Sequence, residues 1–296
     1  MRQTRQSLSV GVLVERRYLE QAQPRGLQEA LELRGHRVVV IDPENALHVV
    51  GDDGWLEGLD VIVVRGRSPG LLGLLAYAEA KGVLTVNSRR AIEQVHNKII
   101  MAALLAMGRI PIPRTFVGPV DSLRSQVAQE EYPLILKPIF GDNGRGLRVV
   151  YTPDDLTSCG WQEPVALAQR YLPANGYDLK LYGIAGEVWA VRKPAPVIDV
   201  GEPQGPALGP EKRKARLMPV TPALKELALR CAGLFGLELY GVDCIRTAVG
   251  PLVIEVNDFP NYSSIPEASW KLADYVVSRV QAQREQTASP TMAAQV

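Results

Sequence analysis

The sequence of 296 residues has few cysteines and histidines and almost no net charge. Its three cysteines form no C-x-x-C pair, which is typical of a protein from a reducing compartment. Its three histidines form no zinc-binding pattern. The formal net charge of +1 argues against a surface that coats nucleic acid, so we expect no nucleic-acid partner.

Long apolar runs are also missing. No stretch approaches the ~18–20 apolar residues that a membrane helix requires, and the basic N-terminus leads into a short strand-like run without a signal-peptide core. We therefore expect a cytoplasmic protein with no membrane partner. Hydrophobic residues make up 46% of the chain, which is enough for a real core, and the length suits two or three domains.

The first 90 residues alternate between strand-like and helical patterns. Strands are predicted at residues 8–14, 37–41, 60–64 and 84–87, with helices at 24–34 and 71–81. This alternation is typical of an open, mainly parallel sheet with helices packed on it. No G-x-G-x-x-G follows the first strand. We predict a Rossmann-like domain over residues 1–90 without a nucleotide site of its own.

Beyond residue 90 the pattern changes to hairpins. We predict a domain over 91–185 that begins with one long helix at 91–107 and continues with a helix at 123–130. A further domain over 186–282 is expected to contain helices at 223–235 and 267–282. Residues 283–296 form a polar tail that we expect to be disordered. The proline-rich segment 194–219 lacks periodicity, and we predict a mobile lid there, with a static surface loop as the competing interpretation.

Two apolar runs at residues 239–246 and 252–262, around a Gly-Pro break at 247–251, predict an antiparallel hairpin that carries acidic side chains. If the turn centres near Val249, Asp243 lies opposite Glu255, and Asn257 shares the face of Glu255. Two carboxylates and an amide oxygen form a set of ligands suited to Mg²⁺. The competing interpretation is a surface hairpin with its polar side chains in water, which fits the apolar neighbours poorly.

A second candidate site is the segment around Lys137, which ends a buried-looking strand just before three glycines. Gly141, Gly144 and Gly146 would let backbone N–H groups approach a phosphate, and the lysine would supply a matching charge. The lysine precedes the glycines and no helix follows, so this is not a Walker A loop. A tight turn without a ligand is the alternative, and a solvated lysine is the default interpretation for Lys98.

Two other polar sets are less specific. Gln169, Arg170, Tyr171 and Leu172 form a strand end that offers backbone groups to an adenine, or is an ordinary strand end. Asp178 and Lys180 share one face of a strand, with Arg192 on the strand predicted to pair with it. An exposed salt-bridge set is the simpler interpretation unless a metal site lies beside them.

The order of these features resembles the ATP-grasp superfamily over residues 8 to about 270. The most specific motifs are Leu134-Ile-Leu-Lys-Pro with its glycines, and Tyr240-Gly-Val-Asp with Val253-Ile-Glu-Val-Asn. The resemblance implies an α/β fold, α+β in the ATP-binding part, with residues 1–90 as a pre-ATP-grasp domain. Residues 91–185 would be the small ATP-grasp subdomain and 186–282 the large one. It also implies that the following residues bind the nucleotide: Lys98, Lys137, Gly141, Gly144, Gly146, Gln169, Arg170, Tyr171, Leu172 and Asp178.

The same resemblance places two Mg²⁺ ions, or Mn²⁺, on Asp243, Glu255 and Asn257, with Arg192 and Lys180 as catalytic residues. Within the superfamily the chain resembles the RimK-like ligases that add glutamate to ribosomal protein or build amino-acid chains on a carrier protein. This implies a carboxylate–amine ligase that uses ATP and an acyl-phosphate intermediate. The amine would come from an amino acid, a peptide or a carrier protein, and association into a homo-oligomer stays open.

Two departures keep alternatives open. The proline-rich segment stands where those ligases usually have an asparagine and paired glycines. The residues Asn257-Asp-Phe-Pro-Asn-Tyr, with Asn175-Gly176-x-x-x-Lys180-x-Tyr182 before them, are similar to the inositol-phosphate kinases of the superfamily, although Asn175 replaces their loop histidine. The chain is therefore also compatible with an ATP-grasp kinase acting on a small polyol. A degenerate ATP-binding regulatory module is the non-enzymatic alternative.

Overall fold

A computed structural model describes residues 7–141, 144–173, 177–194 and 214–288. The helices are α1 (Ala22–Leu33), α2 (Pro69–Ala80), α3 (Arg89–His96), α4 (Lys98–Met107), α5 (Val120–Gln126), α6 (Asp155–Ser158), α7 (Pro222–Phe235) and α8 (Ala268–Ala288). The strands are β1 (Ser9–Val14), β2 (Arg37–Ile41), β3 (Val61–Arg65), β4 (Leu84–Val86), β5 (Thr115–Gly118), β6 (Leu134–Lys137), β7 (Arg148–Val150), β8 (Ala166–Arg170), β9 (Tyr177–Ile184), β10 (Glu187–Pro194), β11 (Arg216–Met218), β12 (Leu239–Thr247) and β13 (Gly250–Asp258).

These elements group into two compact units. Unit 1 comprises Met1–Ile92, Leu237–Leu239 and Asp258–Val296, and unit 2 comprises Glu93–Gly236 and Tyr240–Asn257. The chain therefore leaves unit 1, returns to it briefly before β12, and returns again after β13. The domain boundaries at residues 90, 185 and 282 stay predictions.

Unit 1 is built on a four-stranded sheet in the order β2-β1-β3-β4, and every pair in it is parallel. Its core contains fully buried apolar side chains from β1, β3 and α2, among them Leu13, Ile62, Val64, Leu71 and Leu75. Helix α8 packs beside α1, where Gln23 Nε2 donates to Ser269 Oγ at 2.7 Å. The predicted parallel sheet is present, while the Rossmann-like designation stays a prediction.

Unit 2 contains two sheets. One has the order β5-β8-β6-β7 and is antiparallel throughout. The other has the order β11-β10-β9-β12-β13, in which β10 pairs antiparallel with both β9 and β11. The predicted hairpins β6–β7 and β9–β10 are both confirmed by these pairings.

The predicted single helix at 91–107 is wrong, because Asn97 divides it into α3 and α4. Asn97 has an extended backbone (φ −83°, ψ 106°), and its side-chain oxygen accepts hydrogen bonds from the N–H groups of Ile99 and Ile100. Asparagine is a preferred N-cap because its short side chain satisfies donors that the first helical turn leaves unpaired. The break makes Lys98 the first residue of α4.

Three further boundaries differ from the predictions. Helix α5 ends at Gln126 rather than at residue 130, because Val127 adopts an extended backbone (φ −82°, ψ 123°). Arg216–Met218 forms an edge strand within the segment predicted as irregular, and residues 195–213 of the predicted lid lie outside the described residues.

Helix α8 runs to Ala288, so the tail is helical over its first six residues, which include strong helix formers. Residues 289–296 lie outside the described residues.

None of the helices in the described part of the chain is both long enough and apolar enough to cross a bilayer.

Gly183 allows β9 to lie close to the ring of Tyr240 on β12. A Cβ atom on Gly183 of β9 would lie 1.9 Å from Cζ of Tyr240, whose ring is fully buried on β12. We therefore expect Gly183→Ala to lower the free energy of unfolding by about 1–3 kcal/mol or more, through overpacking. Gly186→Ala in the same hairpin is the matched control, since nothing lies within 4 Å of its added Cβ. Urea unfolding of both variants tests this, and equal stability of the two would contradict it.

Candidate active site

The centre of the candidate site is a carboxylate that two neighbouring side chains share. Lys180 Nζ on β9 lies 2.9 Å from Asp243 Oδ2 on β12, and Asn257 Nδ2 on β13 donates to the same oxygen at 2.7 Å. The adjacent order of these three strands brings the side chains together. Burial disfavours the charged form of Lys180, but Asp243, Tyr182 and Glu255 together outweigh this effect and raise the pKa of the lysine.

A second lysine–carboxylate pair lies beside the first. Lys98 Nζ is 3.3 Å from Glu255 Oε1 and donates to the carbonyl oxygen of Gly141 at 2.7 Å. Helix α4 is held against β13, because the N–H of Val256 donates to Met101 Sδ at 3.2 Å. The Asn97 cap and this contact place the Lys98 ammonium over Glu255.

Lys137 ends β6 and is the third lysine of the site. Its Nζ donates to Gln169 Oε1 at 2.8 Å and to the carbonyl oxygen of Ile254 at 3.3 Å. Burial lowers the pKa of Lys137 to about 8, an effect that nearby Lys98 adds to and that Glu255 and Asp243 oppose. The ammonium is therefore held close to two carboxylates without a direct ion pair to either of them.

The turn between β6 and β7 requires glycine at two of its three predicted positions. Gly144 and Gly146 have φ angles of +71° and +76°, which are unfavourable for residues with a Cβ. A Cβ on Gly146 would also lie 2.8 Å from Pro138 Cγ. Gly141 enters the site through its carbonyl group, which accepts the hydrogen bond from Lys98. Residues 142–143 lie outside the described residues.

The strand end predicted to bind adenine already makes hydrogen bonds within the protein. Gln169 is buried and bridges Lys137 and Thr115, since its Nε2 donates to Thr115 Oγ1 at 3.1 Å. The backbone N–H groups of Arg170 and Tyr171 donate to carbonyl oxygens of Arg114 and Pro133, each at 2.8 Å. Any adenine contact from this segment would therefore fall to carbonyl oxygens or to Leu172.

Strand register separates Arg192 from the other predicted residues. Arg192 pairs with Leu179, so it lies on the face of β9–β10 opposite to Asp178 and Lys180. Its guanidinium carbon stands 3.5 Å from the centroid of the Tyr177 ring. The structure thus does not bring Arg192 together with the acidic residues of the hairpin.

Lys193, rather than Arg192, lies on the face of β10 that Asp178 and Lys180 share. It pairs with Asp178, and its Nζ lies 5.2 Å from the ring of Tyr182, which Lys180 also approaches. Burial and the neighbouring Lys180 lower the pKa of Lys193. Burial and Asp243 raise the pKa of Asp178 to about 6.

A small cleft in unit 2 connects the lysines with apolar side chains. The aliphatic residues that line it come from α4, β8 and β13 and from the segment after α4, and its polar groups are two lysines and a glutamine. The lining residues are Lys98, Met101, Ala102, Leu105, Ile112, Lys137, Leu167, Gln169, Val253 and Ile254. The cleft thus places two ammonium groups beside apolar side chains.

The donor set also fits a hard divalent cation. Within residues 7–141, 144–173, 177–194 and 214–288, no three His, Cys, Asp or Glu side chains are grouped to hold a metal. The candidate set is instead two carboxylates and an amide, which leaves positions that phosphate oxygens and water would fill. Asn257 presents its nitrogen to Asp243 here, so coordination through its oxygen requires rotation of the amide.

The lysine pairs predict weak metal binding in the absence of nucleotide. Because Lys180 neutralises Asp243, we expect Lys180→Met to increase the affinity of the nucleotide-free protein for Mn²⁺ by about tenfold or more. Lys81→Met is the matched control, since Lys81 forms an ion pair of similar length (2.8 Å) with exposed Asp53. Isothermal titration with Mn²⁺ alone measures both effects. An unchanged affinity in Lys180→Met would show that the pair does not oppose the metal.

Comparisons with known proteins identify the family of the chain. A family model described as a RimK-like ATP-grasp domain matches residues 95–274. A probable alpha-L-glutamate ligase of Methanococcoides burtonii is 31% identical over 83% of this chain and 87% of its own length. A second probable alpha-L-glutamate ligase, from Thioalkalivibrio sulfidiphilus, is 29% identical over 90% of this chain and 92% of its own.

Solved structures show the same fold. The RimK domain ATP-grasp protein of Sphaerobacter thermophilus has a TM-score of 0.68 at 22% identity, covering 92% of this chain and 99% of its own. The ATP-grasp ligase PsnB, solved with its minimal precursor, Mg and ADP, has a TM-score of 0.69 at 18% identity, with 92% and 98% covered. The predicted ATP-grasp fold and ligase class are confirmed, and the chain belongs to the RimK-like ATP-grasp family.

Proposed function

We propose that the protein joins a carboxylate to an amine, using ATP and forming an acyl-phosphate intermediate. The observation that carries this proposal is the cluster of Lys98, Lys137 and Lys180 with Asp243 and Glu255 in one unit. Three cations and two carboxylates around an apolar cleft suit the binding of a nucleotide triphosphate together with a divalent metal. The relatives named alpha-L-glutamate ligase support glutamate as the amine.

The proposed reaction has two steps. A carboxylate oxygen of the substrate attacks the γ-phosphorus, and ADP leaves. The amine nitrogen then attacks the acyl carbon, inorganic phosphate leaves, and the nitrogen loses a proton to give the amide. Since no covalent enzyme intermediate is needed, the task of the protein is positioning and charge stabilisation.

The residues of the cluster have distinct tasks in this proposal. Lys137 and Lys98 hold phosphate oxygens, and Gln169 keeps the Lys137 ammonium in place through its 2.8 Å contact. Asp243, Glu255 and Asn257 would hold two Mg²⁺ ions, or Mn²⁺. Bound metal would neutralise charge on the phosphates. Lys180, released from Asp243, would face the reacting groups together with Lys193.

The adenine and ribose contacts complete the proposed nucleotide site. Arg170, Tyr171 and Leu172 would contact the adenine, and Asp178 would face the ribose, while Gly141, Gly144 and Gly146 would cover the phosphates. Arg192, predicted to be catalytic, lies on the other face of β9–β10, so we assign the positive charge at this position to Lys193. We propose that an amino acid, a peptide or a carrier protein supplies the amine.

The kinase alternative rests on the residues that follow Asn257, and their surroundings favour a packing role. Phe259 is fully buried, and Asp258 is buried 3.9 Å from the guanidinium of Arg67. A degenerate module is disfavoured by the retention of both carboxylates and all three lysines.

Replacement of Glu255 tests the metal assignment. We expect Glu255→Gln to reduce ATP turnover by about 100-fold or more, because a ligand charge is lost at constant volume. Glu226→Gln on the exposed face of α7 is the matched control and should behave as wild type.

Mass spectrometry with ATP, Mg²⁺, glutamate and pooled acceptor carboxylates and peptides should detect amide products with loss of water. Phosphorylated products instead would contradict the ligase, and near-normal turnover of Glu255→Gln would refute the metal role.

The pKa of Lys137 predicts a pH dependence of nucleotide binding. The lysine is charged below about pH 8 and neutral above it, so the affinity for a non-hydrolysable ATP analogue should fall as the pH rises from 7 to 9. Lys137→Arg keeps its charge across this range and should show a flatter profile. Titration of a fluorescent ATP analogue at several pH values measures both. Parallel profiles would contradict a contact between Lys137 and phosphate.

A further inference from the structure

The turn between β6 and β7 carries an arginine that has no task in the proposed nucleotide site. Arg145 stands between Gly144 and Gly146 and is exposed. No carboxylate in the described part of the chain pairs with its guanidinium. A solvated surface arginine is the simpler interpretation of such a residue. The position of Arg145 within the turn decides between that interpretation and a contact with the nucleotide.

The two glycines fix the path of the backbone on both sides of Arg145. Gly144 and Gly146 have φ angles of +71° and +76°, in the left-handed region that favours glycine. The N–H of Leu147 donates to the carbonyl oxygen of Gly144 at 3.5 Å and closes the turn. The turn therefore sets the position of the Arg145 backbone, while its exposed side chain keeps the freedom to rotate towards a ligand.

The tip of the turn folds back onto the residue that Lys98 binds. A Cβ atom on Gly141 would lie 3.8 Å from the carbonyl oxygen of Arg145. The carbonyl oxygen of Gly141 accepts a hydrogen bond from Lys98 Nζ at 2.7 Å, and this ammonium lies 3.3 Å from Glu255 Oε1. Gly141 thus separates the backbone of Arg145 from a lysine proposed to hold phosphate and from a carboxylate proposed to hold metal.

Arg145 differs from the lysines of the site in its charge compensation. Lys98 and Lys180 each lie beside a carboxylate, and Lys137 donates to Gln169. These lysines must give up a partner, or share it, when they bind a phosphate. Arg145 has no ion pair to lose within the described part of the chain, and a planar guanidinium can donate two parallel hydrogen bonds to one phosphoryl group.

We propose that Arg145 contacts the terminal phosphoryl group of the bound nucleotide and so favours a triphosphate over a diphosphate. This rests on the proposed function and deepens it, because it names the residue that recognises the phosphoryl group to be transferred. An arginine at a transferring phosphoryl group also stabilises the charge of the transition state. Arg145 therefore contributes to binding of ATP and to its turnover, but not to binding of ADP.

Arg148 offers a matched control in the same hairpin. It is exposed on β7 and pairs with Leu136 of β6, the residue before Lys137. Successive residues of a strand point to opposite faces, so Arg148 lies on the face opposite to Lys137. Its guanidinium donates to the carbonyl oxygen of Leu147 at 3.0 Å. Arg148→Gln thus removes the same charge beside the same turn without removing the proposed contact.

Competition titrations of the full chain with a non-hydrolysable ATP analogue and with ADP, both in Mg²⁺, test the proposal. Arg145→Gln should weaken binding of the ATP analogue at least about tenfold, the loss expected for a charge-assisted hydrogen bond, and change binding of ADP by less than about twofold. Arg148→Gln should leave both affinities at their wild-type values. ATP turnover by Arg145→Gln should fall at least about 100-fold.

Thermal unfolding is measured beside these titrations and should be unchanged, because the Arg145 side chain is exposed. An unchanged preference for the ATP analogue over ADP in Arg145→Gln overturns this inference and leaves a solvated arginine. An equal loss of both affinities overturns it too, since the shape of the turn would then be responsible. If Arg145→Gln fails to fold, Arg145→Lys takes its place and should show a reduced preference, and a wild-type preference overturns the inference.

The same titrations separate this inference from the proposed function. Wild-type protein that binds neither the ATP analogue nor ADP contradicts the proposed function. Normal binding of both nucleotides by wild type, with an unchanged preference in Arg145→Gln, contradicts only the role of Arg145.

Discussion

Charge compensation inside unit 2 is the constraint on which the rest of this site depends. Ionised groups are costly to bury unless opposite charge lies beside them. Lys180 meets Asp243 at 2.9 Å and Lys98 meets Glu255 at 3.3 Å, so the hairpin β12–β13 can carry two partly buried carboxylates. In the proposed function, binding of a metal–nucleotide complex would exchange these partners, so that the carboxylates bind the metal and the lysines bind the phosphates. The groups that stabilise the protein without ligand would then be the groups that bind it.

Three local interactions position these charged side chains. The Asn97 cap starts α4 at Lys98, and the hydrogen bond from Val256 to Met101 fixes α4 on β13. Gly183 lets β9 approach Tyr240 of β12 closely enough to bring Lys180 to Asp243. Each interaction sets the position of a lysine relative to a carboxylate. A small displacement of either side chain would leave a buried charge uncompensated.

Much of this arrangement could be predicted from sequence because its signals are local. Alternating strand and helix patterns predicted the parallel sheet, and short glycine-containing breaks predicted the hairpins. The division at Asn97 was missed because the apolar periodicity continues on both sides of it. The resemblance implies a catalytic role for Arg192, but the register of the hairpin places this residue on the face opposite to Asp178 and Lys180. The two-residue turn Ala185-Gly186 pairs Ile184 with Glu187, and counting outward pairs Asp178 with Lys193.

The central claim is that the lysines and hairpin carboxylates form one site for ATP and metal. Crystals grown with a non-hydrolysable ATP analogue and Mn²⁺ test it directly through the anomalous signal of manganese. The account predicts manganese on Asp243, Glu255 and Asn257, with phosphate oxygens within hydrogen-bonding distance of Lys98 and Lys137. Manganese and phosphates bound away from these residues, with the Lys180–Asp243 and Lys98–Glu255 pairs intact, would contradict it.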